Sequence, residues 1–472
     1  MNPIHKRAMR VSIGFAALLV LGGCATFSGD GGMDRVQALT KERTGQELTR
    51  IQTDADAQTV EAEVNRTLAN PLTVQDALRV ALLNNRSLQA SYAELGIAEA
   101  DLVQAGRLRN PVFSFARLKR GDEIEYERSF MMPILSLLTM PIATRIESRR
   151  FEVTQLRAAS EAVRIADETR RAYYSALAAQ ETAAYMERAN KAAAAGAELA
   201  RRMASVGNWS RLQQAREQSF YADTATELAR ARLAVTTSRE QLTRLMGLSG
   251  GQIQYQLPER LPDLPGAPRE LNDAETMAMQ NRLDIQMAER ELAGLSGSLD
   301  LSRTTRFVNL LDVGYLHNNE TDEPRQTGYE IEFEIPIFDW GTGKVTRAES
   351  SYMQAVHRAS AIAVNARSEV RTAYASYRTA YDLARHYRDE VVPLRKRISD
   401  ETVLRYNGML LGVFELLADA RSQYMAVIGA IEANRDYWMA DSALNMALTG
   451  GSAEVEAMPG PRTAASAQAE GH

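Results

Sequence analysis

Tyr329-Glu-Ile-Glu-Phe-Glu-Ile-Pro-Ile337 alternates residue by residue. Tyr329, Ile331, Phe333, Ile335 and Ile337 fall on one side of an extended chain, and Glu330, Glu332 and Glu334 on the other. A wall between lipid and water wants this pattern, apolar toward hydrocarbon and polar toward a watery lumen, in strands of roughly 10 residues. The adjoining stretch Phe307-Val-Asn-Leu-Leu-Asp-Val-Gly-Tyr-Leu316 alternates less cleanly.

A second pair of short extended pieces lies far upstream, around Val112 to Leu118 and Ile124 to Leu135, separated by Lys119-Arg-Gly-Asp122. Tyr126, Phe130 and Met132 share a face with Arg128, and a cation facing lipid is costly away from the headgroups. Four strands cannot close a barrel, and open edges are not tolerated in hydrocarbon. Either several copies of the chain assemble, or the strands form a soluble sheet capping a helical body.

The two hairpins belong to an internal duplication. Glu168-Thr-Arg-Arg-Ala-Tyr-Tyr-Ser175 returns as Glu369-Val-Arg-Thr-Ala-Tyr-Ala-Ser376, and Phe130-Met-Met-Pro-Ile-Leu135 matches Glu334 to Phe338, with Pro133 facing Pro336. Ala81-Leu-Leu-Asn-Asn-Arg-Ser-Leu-Gln89 is echoed more weakly by Ala278-Met-Gln-Asn-Arg-Leu-Asp-Ile-Gln286. Residues 71–248 form the first repeat, 249–270 a linker with Pro258, Pro262, Pro265 and Pro268, and 271–449 the second.

Within the first repeat, Thr73 caps a helix that runs to Arg107 and ends at Asn110-Pro111. After the strands come helices over 144–205 and 210–245, broken at Val206-Gly-Asn208. At 1.5 Å per residue the longer one is a rod of roughly 90 Å. The second repeat predicts helices over 271–304, 342–405 and 413–448, with strands over 307–317 and 328–338 between the first two. Ala-rich rods of this length suit a coiled coil or helical barrel, and a filamentous coiled coil would use them equally well. The second tip, Gly408-Met-Leu-Leu-Gly-Val-Phe414, reads as apolar and about four residues longer than the first.

The N-terminus has Lys6, Arg7 and Arg10 before the short apolar run Val11 to Val20, too short to span a bilayer as a helix. It ends at Leu21-Gly-Gly-Cys24, which resembles a lipoprotein signal-peptidase box, implying a signal peptide over 1–23 and lipidation of Cys24. Cys24 is the only cysteine, so a lipid anchor would leave no thiol chemistry. Residues 24–70 read as a polar tether, and 450–472 as a disordered Ala, Gly, Ser and Pro tail. The net charge of −5 gives no reason to expect nucleic acid.

Helix, hairpin and long antiparallel helices, given twice behind a lipobox, resemble the TolC-type outer-membrane factor family over residues 70–450. Pro336-Ile-Phe-Asp-Trp-Gly341, the turn segment Tyr406 to Arg421 and Leu72-Thr-Val-Gln-Asp-Ala-Leu78 carry the local likeness. The resemblance implies a mainly α fold with a small β part. Three chains would close one 12-stranded transmembrane barrel over a long antiparallel helical coiled-coil barrel. It implies a passive exit duct in the outer membrane of a Gram-negative bacterium, serving a tripartite efflux or secretion system. Its partners would be a homotrimer's other copies, a periplasmic adaptor, an inner-membrane transporter and outer-membrane lipid.

The family closes its periplasmic end near the turn between its last two helices. There Tyr406 matches a turn tyrosine, Glu415 an acidic ring position, and Asp419 lies one residue past a second. Arg211 falls where well-known members place an aspartate, so Arg211 and Glu415 are expected to form a reversed pair or to remain ordinary solvated charges. Adaptor hairpins would dock on Val206, Gly207, Gly408, Leu410, Leu411 and Gly412 unless these pack inside the tip. Glu330, Glu332 and Glu334 would face the lumen, attracting cations or simply keeping it hydrated.

No chemistry of catalysis is legible. The five histidines are scattered, and no metal-ligand spacing, phosphate loop or nucleophile elbow is present. Neither metal nor cofactor is called for. The competing reading is a non-conducting periplasmic coiled-coil structural lipoprotein.

Overall fold

A computed structural model describes residues 26–451; the signal peptide, Cys24 and nearly all of the 450–472 tail lie outside them. Two compact units divide the chain, one of Met1–Leu39, Ala90–Ala159 and Leu283–Ala363, the other of Thr40–Gln89, Ser160–Arg282 and Val364–His472.

The first unit holds one antiparallel sheet of four strands, β1 (Val112–Arg120), β2 (Glu123–Pro133), β3 (Leu311–Glu320) and β4 (Gln326–Phe333), in the order β1-β2-β3-β4. The two hairpins of the duplication therefore lie side by side, joined through β2 and β3, and β1 and β4 are left as edges. Gly314 of β3 lies under the Met131 sulfur, where a β-carbon would collide with it. Past β4, Gly341 takes φ +68, and a β-carbon there would lie 2.5 Å from the Arg306 carbonyl oxygen.

The second repeat's hairpin is shorter than 307–317 and 328–338 predict. Leu311 pairs with Phe333 as the last rung, so Glu334 falls beyond the ladder. Pro336 has no N–H to extend it.

Helices α1 (Met33–Thr44) and α2 (Asp54–Leu68) replace the expected tether over 24–70. Val36, Leu48, Val60 and Val64 are buried, and Thr53 starts α2 with a capping box to Asp56. These apolar positions are sparse, but Val60 and Val64 lie one turn apart on a single face of α2, and Leu48 is buried between the two helices in sequence.

The predicted helix over 73–107 is two, α3 (Val74–Asn84) and α4 (Arg86–Ala105), and the one over 271–304 is α7 (Ala274–Asn281) and α8 (Leu283–Thr304). The breaks are equivalent. Asn85 and Arg282 both take extended backbone and donate N–H to the carbonyls of Ala81 and Ala278, the residues that open the weak sequence echo. Both side chains are buried and reach a later helix's C-terminal end. Asn85 donates to the Leu245 carbonyl at 2.9 Å, and Arg282 to the Ala447 carbonyl at 3.2 Å. That satisfies carbonyls a helix end leaves unpaired. Arg282 also pairs with Glu369 at 2.9 Å.

The long helices follow as α5 (Ile134–Ser205), α6 (Arg211–Leu245), α9 (Thr342–His386), α10 (Val392–Asn407) and α11 (Val413–Thr449). α5 begins ten residues before the expected Thr144, with Pro141 inside it. The predicted run over 342–405 is interrupted by a π turn, Tyr387–Val391. Pro393 lacks the N–H that residue 389 would accept, and its ring crowds that carbonyl; the wider π turn absorbs both.

The second unit's core gathers Val370, Tyr377, Tyr381, Tyr437 and Leu444 with Ala373, Ala380 and Ala447 between them. The tyrosine hydroxyls are placed by the Pro-rich linker. Tyr381 donates to the Pro265 carbonyl at 3.1 Å, and Tyr377 accepts from the Arg269 N–H at 2.8 Å. Gln180 and Trp438 donate to the carbonyls of Pro258 and Pro262. The linker's carbonyls lie outside any helix or strand ladder and still need donors, so residues 249–270 are strapped down by side-chain donors.

Candidate functional site

The sheet register assigns each strand residue to a face. On one face stand Phe113, Phe130, Tyr315 and Tyr329 as a row across all four strands. Next to it lie Met132, Val313 and Ile331, then Leu311 and Phe333. The other face carries Glu330 opposite Gly314, Glu332 opposite Asp312, and Glu127 opposite Asn318, with Glu125 opposite Glu320 beyond. Glu330 and Glu332 are thus where the sequence puts them, while Glu334 lies outside the ladder. The acidic face is wider than the three glutamates of the last strand, because β2 and β3 add carboxylates that only the register reveals.

Tyr329, Ile331 and Phe333 are exposed, as are Phe113, Phe115 and Phe130. An apolar surface of this extent is left bare by the chain itself. Arg128 shares the apolar face in the row of Phe115, one row past Phe113 and Phe130, with its guanidinium 6.0 Å from the Phe115 ring centre and 5.9 Å from that of Tyr126 in the next row. It is held at the edge of the apolar band, not within it.

In the second unit, the turns between α5 and α6 and between α10 and α11 each span five residues, 206–210 and 408–412. The expected four-residue difference is absent; the tips differ in how they are capped. Ser210 starts α6 with a capping box to Gln213, whereas Gly412 gives α11 no side-chain cap. The second turn closes by N–H donation from Gly408 to Leu404 O, Met409 to Tyr406 O and Leu410 to Arg405 O. The left-handed backbone falls on Met409, φ +56, and not on its glycine neighbour. Met409 is 94% and Leu410 76% exposed, and Val206, Gly207, Gly408 and Gly412 are exposed too; Leu411 is half-buried.

Of the two alternatives for Arg211 and Glu415, the reversed pair is not formed within the chain's described residues. Arg211 and Glu415 are both exposed, and Glu415 folds its carboxylate back over Gly412, the residue that starts its own helix. Among the described residues they form no ion pair. Instead Glu217 and Arg421, six residues further along the same two helices and with the signs exchanged, are bridged at 2.5 Å.

Glu217 is 1% exposed, and Arg421 also lies 4.2 Å from the centre of the Phe220 ring. Leu417 and Glu217 both border Gly196 of α5. Tyr185 and Tyr424 meet edge to face at 5.9 Å, and Thr224 bonds Asn190 at 3.2 Å. So α5, α6 and α11 meet around one buried ion pair. Tyr406 is half-buried, and one carboxylate oxygen of Asp419 is buried with no hydrogen-bond partner among the described residues. Glu217 had no sequence signal beyond Phe220 one turn later, because its partner lies 204 residues away.

Among the described residues, no three His, Cys, Asp or Glu side chains gather to hold a metal ion, and no helix is long and apolar enough to cross a membrane.

No family model matches the chain. The cobalt-zinc-cadmium resistance protein CzcC of Cupriavidus metallidurans is 25% identical over 293 residues, 60% of this chain and 67% of that protein. Among solved structures, the outer membrane protein VceC of Vibrio cholerae superposes with a TM-score of 0.67 at 15% identity, covering 84% of this chain and 98% of that one. The Campylobacter jejuni CmeC outer membrane channel superposes with a TM-score of 0.64 at 16% identity, over 89% and 93%. With its paired hairpins in one two-faced sheet and its duplicated long helices, the chain has the fold of the TolC-type outer-membrane factors.

Proposed function

We propose that three copies of this chain close one barrel in the outer membrane and serve as the exit duct of a tripartite efflux system. The observation that carries this is the four-stranded sheet with an aromatic and aliphatic face, an acidic face and two open edges. Unpaired edges in hydrocarbon leave a row of N–H and C=O groups without partners, each costing several kcal/mol. Pairing β1 of one copy with β4 of the next removes both edges, and three copies give twelve strands. A purely structural coiled coil has no use for such a sheet. Native mass spectrometry of the detergent-extracted protein is expected to give three chains per particle; a monodisperse monomer would remove the proposal.

The duct does no covalent chemistry; solute moves through water and is sorted by width and lining charge. The inward carboxylates favour cations, in keeping with a relative named for resistance to cobalt, zinc and cadmium. A lipid on Cys24 would add a second hold on the membrane.

The tips Val206–Gly207 and Gly408–Gly412 are offered to a periplasmic adaptor that links the duct to an inner-membrane transporter. Exposed apolar side chains such as Met409 and Leu410 need a cover. In cross-linking with a periplasmic adaptor, Leu410→Asp is expected to lose the link while remaining trimeric. Undiminished cross-linking would take the tip out of the account.

A further inference from the structure

Charge is sorted between the two faces of the sheet more completely than a hydrated pore requires. In the register, Glu123, Glu125, Glu127, Asp312, Glu320, Glu330 and Glu332 all take the inward parity, with Arg120, opposite Glu123 at the hairpin end, the one strand cation among them. The outward parity on the same strands carries Arg117, Lys119 and Arg128, with His317 beside Arg128, and no carboxylate. Glu127, the neighbour of Arg128 along β2, points to the opposite face, and Asp122, Asp322 and Glu323 sit in the turns beyond the strand ends.

Arg117, Lys119 and Arg128 form no ion pair among the described residues, and Arg117 and Lys119 are exposed. Their position is narrow. Arg128 stands one row past the row Phe113, Phe130, Tyr315 and Tyr329, Arg117 one row further, and Lys119 one beyond that. These rows approach the hairpin turns, at the end of the sheet opposite to the one where β2 runs into α5. Aromatic rings settle at the boundary between acyl chains and headgroups. Cations set among the outermost of these rings, Arg128 opposite Phe115 and Arg117 opposite Tyr126, meet the headgroups themselves, and guanidinium groups match phosphate oxygens two at a time. The rings of Phe115 and Tyr126 flank the Arg128 guanidinium and restrict where it can point.

We propose that Arg117, Lys119 and Arg128 form an outward-facing site for phosphate-bearing lipid headgroups of the outer leaflet, one site per chain. The site rests on the reading of the sheet as a membrane wall, and it adds a specific lipid to that reading. On the inner face the same charges would oppose the cation-attracting lumen; placed outside, they hold lipid and leave the lumen acidic.

The test compares wild type with R117Q/K119Q/R128Q in vesicles of phosphatidylcholine doped with diphosphoryl lipid A, scoring the lipid retained after extraction by native mass spectrometry. Wild type is expected to enrich lipid A over phosphatidylcholine, and the triple variant to lose that enrichment severalfold. R117K/R128K is expected to keep part of it. Equal retention by wild type and triple variant overturns the site. So does release of lipid A by inorganic phosphate at low concentration, which would make it a free-anion site. Conductance of both proteins in pure phosphatidylcholine bilayers is the control for assembly. If wild type conducts and retains no lipid A, the site alone fails; if wild type does not conduct, the membrane-wall reading fails.

Discussion

Ile331→Arg is expected to abolish insertion of the protein into bilayers. Ile331 lies on the outward face between the aromatic row and Phe333, inside the apolar band. An arginine near the midplane on the lipid face of a barrel costs about 2 to 4 kcal/mol. Three copies multiply this to roughly 6 to 12 kcal/mol for the assembly, which exceeds or matches the whole stability of many domains. Glu332→Arg, one residue along and on the other face, is the control. It should insert like wild type and move the reversal potential toward anions, since its charge enters the lumen. Proteoliposome flotation separates the two. Equal insertion by both variants would mean that the faces are assigned wrongly or that the sheet never meets lipid.

Arg421→Ala is expected to destabilise the protein by about 3 to 5 kcal/mol, the usual cost of leaving a buried charge without its partner. Glu217 has almost no exposure and no other cation bridged to it among the described residues, so its carboxylate would be stranded between α5, α6 and α11. The double variant Glu217→Gln with Arg421→Ala should recover most of the loss, because no lone charge remains. The pair ties α6 to α11 near the tips, so the single variant should also raise open conductance, whereas Arg211→Ala should leave it unchanged. Thermal unfolding of the two single variants and the double variant checks the first expectation. A loss below about 1 kcal/mol, the range of exposed pairs, would show the bridge to be solvated and incidental.

The legibility of this chain was uneven for physical reasons. A β-strand with one face toward lipid writes its pattern locally, so Tyr329 to Phe333 could be read directly. The long Ala-rich helices are equally plain, apart from the start of α5 and the turn before Pro393, and so is the duplication. The helix breaks at Asn85 and Arg282 were not, since neither is a glycine or proline and both depend on carbonyls more than 150 residues away. The π turn was hidden because Pro393 follows it instead of lying in it. The N-terminal helices are hard to see in the sequence because their buried side is only a few valines, such as Val60 and Val64.

At the tips, local sequence identified the exposed turn residues but not the ion pair. Arg211 and Glu415 were reasonable by position, yet pairing is decided by which turns of α6 and α11 face inward. That register belongs to packing, and it falls on Glu217 and Arg421.

The most direct test of the account is single-channel recording of the purified, full-length protein in planar bilayers. Three-chain particles are expected to give discrete conductance steps with a reversal potential favouring cations, and Glu330→Gln with Glu332→Gln should weaken that preference. Folded, membrane-inserted trimers that pass no current would contradict the duct and leave a scaffold in its place.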